Sequence, residues 1–269
     1  MLLLFLLPLI AAGQSVMPWM CLERCNFTSA EVQDHLADIL QHKHLLSRVS
    51  FERYNLGPNG TLILNNQLTH VAPVLKSQGN LTTIAMISSY PYPPQFLSWM
   101  RFVFQNPIPF LTKLFDQLSI DAIDGVNFDW EPTSPDTTAQ DAQDYATFLA
   151  LAQTFLESRN KIVTVDVATF NRIWNLTAIS VALQASSAQV CTMETYTNND
   201  TVFVKNLDSA IQILGPKLLT VGLQTIPGTN VSLRFDALVS RGICRAAVWD
   251  MPLDETWWAA IGKFLTDCK

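Results

Sequence analysis

The sequence predicts a (β/α)8 TIM barrel, built as a single α/β domain. Eight short apolar segments alternate with helical patterns along the 269 residues, and eight strand–helix units in a chain of this length match the size of a TIM barrel. Several segments are apolar on both faces, which is typical of parallel strands covered by helices. A doubly wound open sheet is the alternative, although the G-x-G-x-x-G motif of its nucleotide-binding form is absent.

The predicted strands share their length and their apolar character. They are 17–23, 48–54, 81–88, 125–131, 161–170, 189–196, 218–226 and 244–251. Between them apolar residues recur at helical spacing, and the first helical stretch opens with Thr28 and Ser29 as capping residues and Glu31 in the first turn. No linker, repeat or low-complexity stretch divides the chain, so we expect one domain.

The chain begins with MLLLFLLPLIAAGQS. This apolar run is too short to cross a bilayer and is followed by small residues, as in a secretory signal peptide. We therefore expect a signal peptide at 1–13 and a mature domain at 14–269 that is secreted or lysosomal; a buried N-terminal strand is the alternative. No later segment is long and apolar enough to predict a membrane span.

Six N-x-[ST] sequons agree with passage through a secretory compartment. One sequon arises easily by chance, whereas six in a chain with a signal peptide predict that several carry glycans. Their asparagines are Asn26, Asn59, Asn80, Asn175, Asn199 and Asn230.

The five cysteines leave at least one thiol unpaired within the chain. Cys244 opens the last predicted strand and Cys268 ends the final helix, so an antiparallel return of that helix predicts a disulfide between them. Cys21 and Cys25 can pair locally, which leaves Cys191 as a buried thiol. Neither the cysteines nor the four histidines have the spacing of metal ligands, so we expect no metal site.

The segment DGVNFDWEP, residues 124–132, carries the candidate site. Side chains alternate between the faces of a strand, so one face holds Val126, Phe128 and Trp130 and the other holds Asn127, Asp129 and Glu131. Glu131 falls at the carboxyl end of the predicted strand, where barrel active sites are built. Burial and the charge of Asp129 would raise the pKa of Glu131 and keep it protonated as a general acid. Asn127 could bond Asp129 without carrying charge.

DGVNFDWE resembles the D-G-x-D-x-D-x-E signature of glycoside hydrolase family 18, the chitinases and their relatives, with Asn127 in place of the middle aspartate. VCTMETY and GICRAAVWDMPLD resemble the family's sixth and last strands, although one extra residue separates Met193 from Tyr196. MISSYPY replaces the glycine-rich pattern of the third strand, and the α+β subdomain that many chitinases insert before the last strand is missing. The lysosomal chitobiase-like members are the nearest, because they share the asparagine at 127 and a strand similar to VTVDVA.

The resemblance implies a retaining glycosidase that cleaves β-1,4-linked N-acetylglucosamine by substrate-assisted catalysis and needs no cofactor. Glu131 would protonate the glycosidic oxygen, Asp129 would orient the substrate's acetamido group, and Tyr196 would bond the acetamido oxygen. The residues expected to bind substrate are Trp249 as the floor under the sugar ring, Asn127, Asp124, Met193 and the inward-facing Asp166.

Two other functions remain open on the sequence. A non-catalytic carbohydrate-binding protein of the same fold is favoured by Asn127 and the missing glycines, but such proteins usually lack the acid. A secreted protein without a sugar site would require Asp129 and Glu131 to be ion-paired. The expected partner is a glycan containing N-acetylglucosamine, whereas a net charge of −6 and the lack of a basic run argue against nucleic acid.

The loop after the third predicted strand, SYPYPPQFLSW, is rich in aromatic residues. In a barrel this loop lies on the catalytic rim, so Tyr90, Tyr92 and Trp99 could form a platform for sugar stacking. Packing of these rings into the core is the equally good alternative.

Overall fold

A computed structural model describes residues 14–65 and 68–268. The predicted signal peptide at 1–13 lies outside this range. The strands are β1 Ser15–Met20, β2 Arg48–Gly57, β3 Thr61–Leu64, β4 Thr82–Ser88, β5 Gly125–Asp129, β6 Ile162–Val167, β7 Gln189–Thr192, β8 Leu219–Gln224 and β9 Arg245–Trp249. The helices are α1 Ser29–Gln41, α2 Val71–Gly79, α3 Phe96–Gln105, α4 Pro107–Ile120, α5 Ala139–Glu157, α6 Leu176–Leu183, α7 Asp200–Leu218, α8 Val231–Val239 and α9 Glu255–Asp267.

The strands close into a parallel barrel. The order is β1-β9-β8-β7-β6-β5-β4-β2, and β1 also pairs with β2, which completes the circle. Each of the eight predicted strands is present, so the (β/α)8 prediction is confirmed and the open sheet is wrong. β8 connects to β9 through α8 alone, without an inserted subdomain.

β3 is the strand that sequence patterns missed. It pairs antiparallel with the outer half of β2, from Gly57 opposite Thr61 to Tyr54 opposite Leu64. A tight turn at Pro58–Gly60 joins the two strands, and Asn59 adopts a left-handed conformation there. Four residues are too few to show a clear alternation of apolar and polar positions.

The alternation along β5 separates packing from chemistry as predicted. Val126, Phe128 and Trp130 point outward and are fully buried among the surrounding helices, where Trp130 stacks on Phe148 of α5. Asn127 and Asp129 therefore point into the barrel, where the buried apolar residues form a separate small cluster around Trp19 and Met86. The outer layer contains most of the buried apolar residues and so supplies most of the hydrophobic stabilisation of the barrel.

The six sequon asparagines are all exposed. Three of them are N-caps: the side chains of Asn175, Asn199 and Asn230 accept bonds from the first turns of α6, α7 and α8. These caps use Oδ1 and leave Nδ2, the atom that a glycan would modify, available. Cap and glycan are therefore compatible at these positions.

Both predicted disulfides are present, Cys21–Cys25 and Cys244–Cys268, and Cys191 is a buried free thiol. The second bond links the start of β9 to the end of α9, where Ser15 also bonds the carbonyl of Cys244. The disulfide thus links α9 to the start of β9, which pairs with β1 where the barrel closes. In the described range, no helix is long and apolar enough to span a membrane.

Replacing both Cys244 and Cys268 with alanine should lower the free energy of unfolding by roughly 3 kcal/mol, because the bond restricts the unfolded chain. It spans 24 residues, whereas Cys21–Cys25 spans only 4. Urea unfolding of the two double-alanine variants should therefore show the larger loss for Cys244 and Cys268. Peptide mapping without reduction that found Cys191 in a disulfide would contradict the pairing.

Candidate active site

A cleft of about 580 Å³ opens at the carboxyl ends of the barrel strands. It combines carboxyl groups, aromatic rings and one guanidinium. Its lining residues are Trp19, Arg24, Met86, Tyr92, Asp129, Glu131, Asp166, Thr169, Phe170, Met193, Glu194, Tyr196, Gln224 and Trp249. The strands converge here, so residues far apart in the sequence meet within one site.

Asp129 and Glu131 form the acid pair of this cleft. Asp129 is the last residue of β5 and is buried, and Glu131 follows on the same face just beyond the strand. Burial, reinforced by the charge of Asp129 and opposed by Arg24, raises the pKa of Glu131 to about 8. Glu131 therefore retains a transferable proton at neutral pH, which a general acid requires.

Arg24 is the central site residue that sequence reasoning missed; it also missed Trp19, Met86, Thr169, Phe170, Glu194 and Gln224. Its Nη2 donates to Asp129 Oδ2 at 2.5 Å and to Ser88 Oγ at 2.8 Å, and its Nη1 lies 3.4 Å from Glu131 Oε1. The guanidinium also lies over the ring of Trp249, with its central carbon 5.1 Å from the ring centroid. One side chain thus contacts both members of the acid pair and the expected sugar floor.

Glu52 on β2 anchors Arg24. It is buried, accepts a bond from Arg24 Nε at 2.5 Å, and also accepts bonds from the backbone N–H groups of Leu22 and Glu23 at 2.7 and 2.5 Å. An irregularity in the pairing of β2 with β4 between Glu52 and Tyr54 turns the next side chains outward. Glu52 is an acidic residue at an inward position of the apolar strand RVSFERY, and this pattern could have predicted a buried partner for a cation.

Asp166 lies in the cleft lining and is buried, as its position in β6 predicts. Burial and the charge of Asp129 raise its pKa well above the usual range. Asn127 does not bond Asp129 as expected; its Nδ2 donates to Thr164 Oγ1 at 2.9 Å and to Asp166 Oδ1 at 3.0 Å. Asn127 is fully buried below the cleft, and its Oδ1 has no partner in the described part of the chain.

Tyr196, Met193 and Trp249 all line the cleft. Burial raises the pKa of the Tyr196 hydroxyl well above its usual range, so it remains a neutral hydrogen-bond donor. Gly222 on β8 makes room for Tyr196, since a Cβ there would lie 2.8 Å from Tyr196 Cε1. The structure therefore brings these residues together with Asp129 and Glu131.

Asp124 does not reach the cleft. It precedes β5 at the opposite end of the barrel, where it bonds Lys76 Nζ at 2.6 Å and both the backbone N–H and the hydroxyl of Thr83 at 2.9 Å. It fastens α2 and β4 to the start of β5. The expectation that Asp124 binds substrate has no support in this placement.

The aromatic residues of the loop after β4 do not all have the same role: one lines the cleft, and the other two contact neighbouring rings. Tyr92 lines the cleft, and its hydroxyl accepts a bond from Arg24 Nη1 at 2.9 Å. Tyr90 contacts Tyr92 edge to face, while Trp99 packs on Phe96 of α3. Only Tyr92 of the three contributes to the cleft.

Within the described ranges, Cys21, Cys25 and Asp250 place candidate metal-ligand atoms within 4.8 Å of one another. The two sulfurs are joined as a disulfide. They are therefore not available as thiolate ligands.

No protein-family model matches the sequence, and no curated protein matches it. Solved structures do share the fold. The chitinase of Chromobacterium violaceum ATCC 12472 has a TM-score of 0.72 at 12% identity, over 94% of this chain and 99% of that one. The Ostrinia furnacalis Group IV chitinase, solved in complex with allosamidin, has a TM-score of 0.71 at 12% identity, over 95% and 100%.

The spore cortex-lytic enzyme SleL of Bacillus megaterium QM B1551 is also similar. Its TM-score is 0.73 at 13% identity, over 93% of this chain and 73% of that one. At such identities the likeness concerns the fold. The chain has the barrel that these chitinases and this cortex-lytic enzyme have, over nearly its whole described length.

Proposed function

We propose that the protein is a glycoside hydrolase of family 18 that cleaves β-1,4-linked N-acetylglucosamine, in chitobiose-type glycans, with retention of configuration. The observation that carries the proposal is the acid pair, in which a protonated Glu131 stands beside Asp129 at the carboxyl end of a barrel strand. The fold shared with chitinases and the resemblance of DGVNFDWE to the family signature support it.

In the proposed reaction, Glu131 donates its proton to the glycosidic oxygen as the bond to C1 breaks. The carbonyl oxygen of the 2-acetamido group attacks C1 from the opposite face and forms a cyclic intermediate. Asp129 accepts the acetamido N–H and stabilises the positive charge, while Tyr196 donates to the acetamido oxygen. Glu131 then removes a proton from the incoming water, which opens the intermediate and restores the acid.

The sugar-binding surface of this proposal consists of the remaining cleft residues. Trp249 supplies an apolar face under the sugar ring, and Met193 and Asp166 border the same space. Asn127 acts from below, by holding Asp166 through its amide. The asparagine at this position, which chitobiase-like members also have, supports a chitobiose-type substrate.

A secreted or lysosomal location is part of the proposal. Two disulfides are expected of proteins that fold in an oxidising compartment. Six exposed sequon asparagines are accessible to glycosylation. Both features support the signal peptide predicted at 1–13.

Arg24 also favours a second candidate, a carbohydrate-binding protein without hydrolysis. Its bond to Asp129 Oδ2 occupies an oxygen that the reaction would offer to the acetamido N–H. The same contacts supply the ion pairs that a protein without a sugar site would need. The proton on Glu131 favours hydrolysis, because neither sugar binding nor a structural ion pair needs a transferable proton.

The charges of the cleft support an uncharged sugar chain as substrate. Carboxyl groups of Asp129, Glu131, Asp166 and Glu194 line it, with Arg24 as the one cation among the described lining residues. A guanidinium has five N–H groups, and those of Arg24 are directed at Glu52, Tyr92, Glu131, Ser88 and Asp129. No donor of Arg24 is left for a carboxylate on the substrate.

Glu131→Gln should reduce kcat on a chitobiose substrate by at least about 10²-fold, because the amide has the shape of the acid without a transferable proton. Binding of N-acetylglucosamine oligosaccharides, measured by calorimetry, should persist. Glu157→Gln, an exposed residue at the end of α5, is the matched control and should leave kcat unchanged. Wild-type protein that binds the sugar without turnover would favour the binding candidate instead.

The pH dependence of kcat/KM should show an alkaline limb near pH 8. Activity requires the protonated form of Glu131, so it is present below the pKa of about 8 and is lost as the pH rises through it. The measurement is a pH–rate profile on one chitobioside. A limb near 4.5, the ordinary value for glutamate, would mean that the cleft does not raise the pKa of the catalytic acid.

A peptidoglycan strand, whose alternate sugars carry a carboxylate, should be cleaved at least about tenfold less efficiently than a chitin oligosaccharide of equal length, because Arg24 has no free donor with which to pair a carboxylate that the cleft removes from water. Reduction of the strand's carboxylates to alcohols removes that charge at nearly constant size. The reduced strand should regain activity. Equal rates for the charged and reduced strands would show that charge does not select the substrate.

A further inference from the structure

We infer that Arg24 is a positioning residue for the acid pair: its bond to Asp129 fixes the orientation and charge of that carboxylate and so leaves the transferable proton on Glu131. The inference rests on the proposed function, in which Glu131 is the general acid. The loop after β1 thus positions the acid pair of the DGVNFDWEP segment from outside that segment.

The contacts of Arg24 with the two acids are unequal. The guanidinium approaches Asp129 to 2.5 Å but stands 3.4 Å from Glu131. A charge-assisted bond strengthens steeply as it shortens, so the arginine stabilises a negative charge on Asp129 more than one on Glu131. Two neighbouring carboxyls share their protons as a coupled pair, and this asymmetry assigns the proton to Glu131.

The position of Arg24 is determined by its own loop and by Glu52. Three successive backbone N–H groups, of Leu22, Glu23 and Arg24, donate to Glu52 Oε2, and the Cys21–Cys25 disulfide closes the loop around them. Arg24 Nε completes the shell of Glu52 from the other side. The side chain then extends into the cleft between the rings of Tyr92 and Trp249.

Arg24 remains charged in this setting. Burial alone would lower its pKa, but the charges of Asp129 and Glu52 outweigh burial and raise it. Arg48 and Arg245 interact with Cys191, away from the acid pair. The titratable groups that face Arg24 and the acid pair come from several elements: Glu52 from β2, Tyr92 from the loop after β4, Asp166 from β6, Glu194 and Tyr196 from the loop after β7, and Tyr145 from α5. Each of these groups is neutral or acidic, so Arg24 alone supplies positive charge among them.

The central test compares Arg24→Gln with Arg24→Lys. Removing a nearby cation raises every pKa of the coupled pair, so in Arg24→Gln both limbs of the kcat/KM profile should move to higher pH by at least about one unit. The kcat at the new optimum should fall while KM changes little, because Asp129 loses its orientation. Arg24→Lys preserves the charge without the planar fork, so its limbs should stay in place while kcat falls.

Two controls separate positioning from a structural role. Arg101→Gln breaks an arginine–aspartate pair outside the cleft, in which Asp141 is buried and Arg101 is partly exposed, and it should leave both limbs unchanged. Because Arg24→Gln leaves the buried Glu52 without a cation, the double variant Arg24→Gln, Glu52→Gln removes both charges and keeps an oxygen that accepts bonds from the backbone of the loop. It should show the same shift of both limbs.

Free guanidinium provides a rescue experiment. Added to Arg24→Ala at concentrations well below those that unfold proteins, it should return both limbs toward their wild-type positions and restore part of kcat. Sodium chloride at the same concentration should not. Limbs that remain unchanged in folded Arg24→Gln, with or without guanidinium, would overturn the inference.

A carboxyl ¹³C NMR titration makes the result independent of turnover. In the wild-type protein the upper titration step should appear in the Glu131 resonance, whereas in Arg24→Gln it should move to higher pH and appear in the resonances of both carboxyl groups of the pair, because the proton is then shared. If wild-type protein hydrolyses no glycan, the proposed function fails, and this titration still decides whether Arg24 controls the proton of Glu131.

Discussion

Several carboxyl groups are buried close together at the carboxyl end of the barrel, and the Arg24 guanidinium is the interaction that makes this arrangement tolerable. Asp129, Asp166 and Glu52 are almost completely removed from water, and Glu131 is largely so. Uncompensated charge in such a place is very costly. The site meets this constraint in two ways: Arg24 neutralises charge on Asp129 and Glu52, and raised pKa values keep protons on Glu131 and Asp166.

The barrel and the acid pair could be predicted because strand periodicity is local information. Alternation along 125–131 assigned Phe128 and Trp130 to the helix layer and Asp129 to the interior, and the structure agrees. Arg24 could not be found this way. It lies in a loop, where a charged residue is usually solvated, and its partners Glu52 and Asp129 are distant in the sequence. Only the closure of β1 against β2 brings them together.

The motif DGVNFDWE shows why a contiguous match does not imply a contiguous site. A strand rises by about 3.3 Å per residue, so the two ends of this segment lie at opposite ends of the barrel. Asp124 therefore holds Lys76 and Thr83 at one end, while Glu131 faces the cleft at the other. Asn127 lies between them and connects β5 to β6 through Thr164 and Asp166. One segment thus contributes a structural clasp, an internal bridge and an acid.

The same connections join the Cys21–Cys25 disulfide to the acid pair. The Cys21–Cys25 disulfide closes the short loop whose backbone surrounds Glu52, and Glu52 in turn holds the guanidinium that contacts Asp129. Burial and the charge of the neighbouring Asp129 raise the pKa of Glu131. The Cys21–Cys25 disulfide is therefore connected to the acid pair through Glu52 and Arg24. The loop after β1 is distant in the sequence from DGVNFDWEP, but through these contacts it is part of the candidate active site.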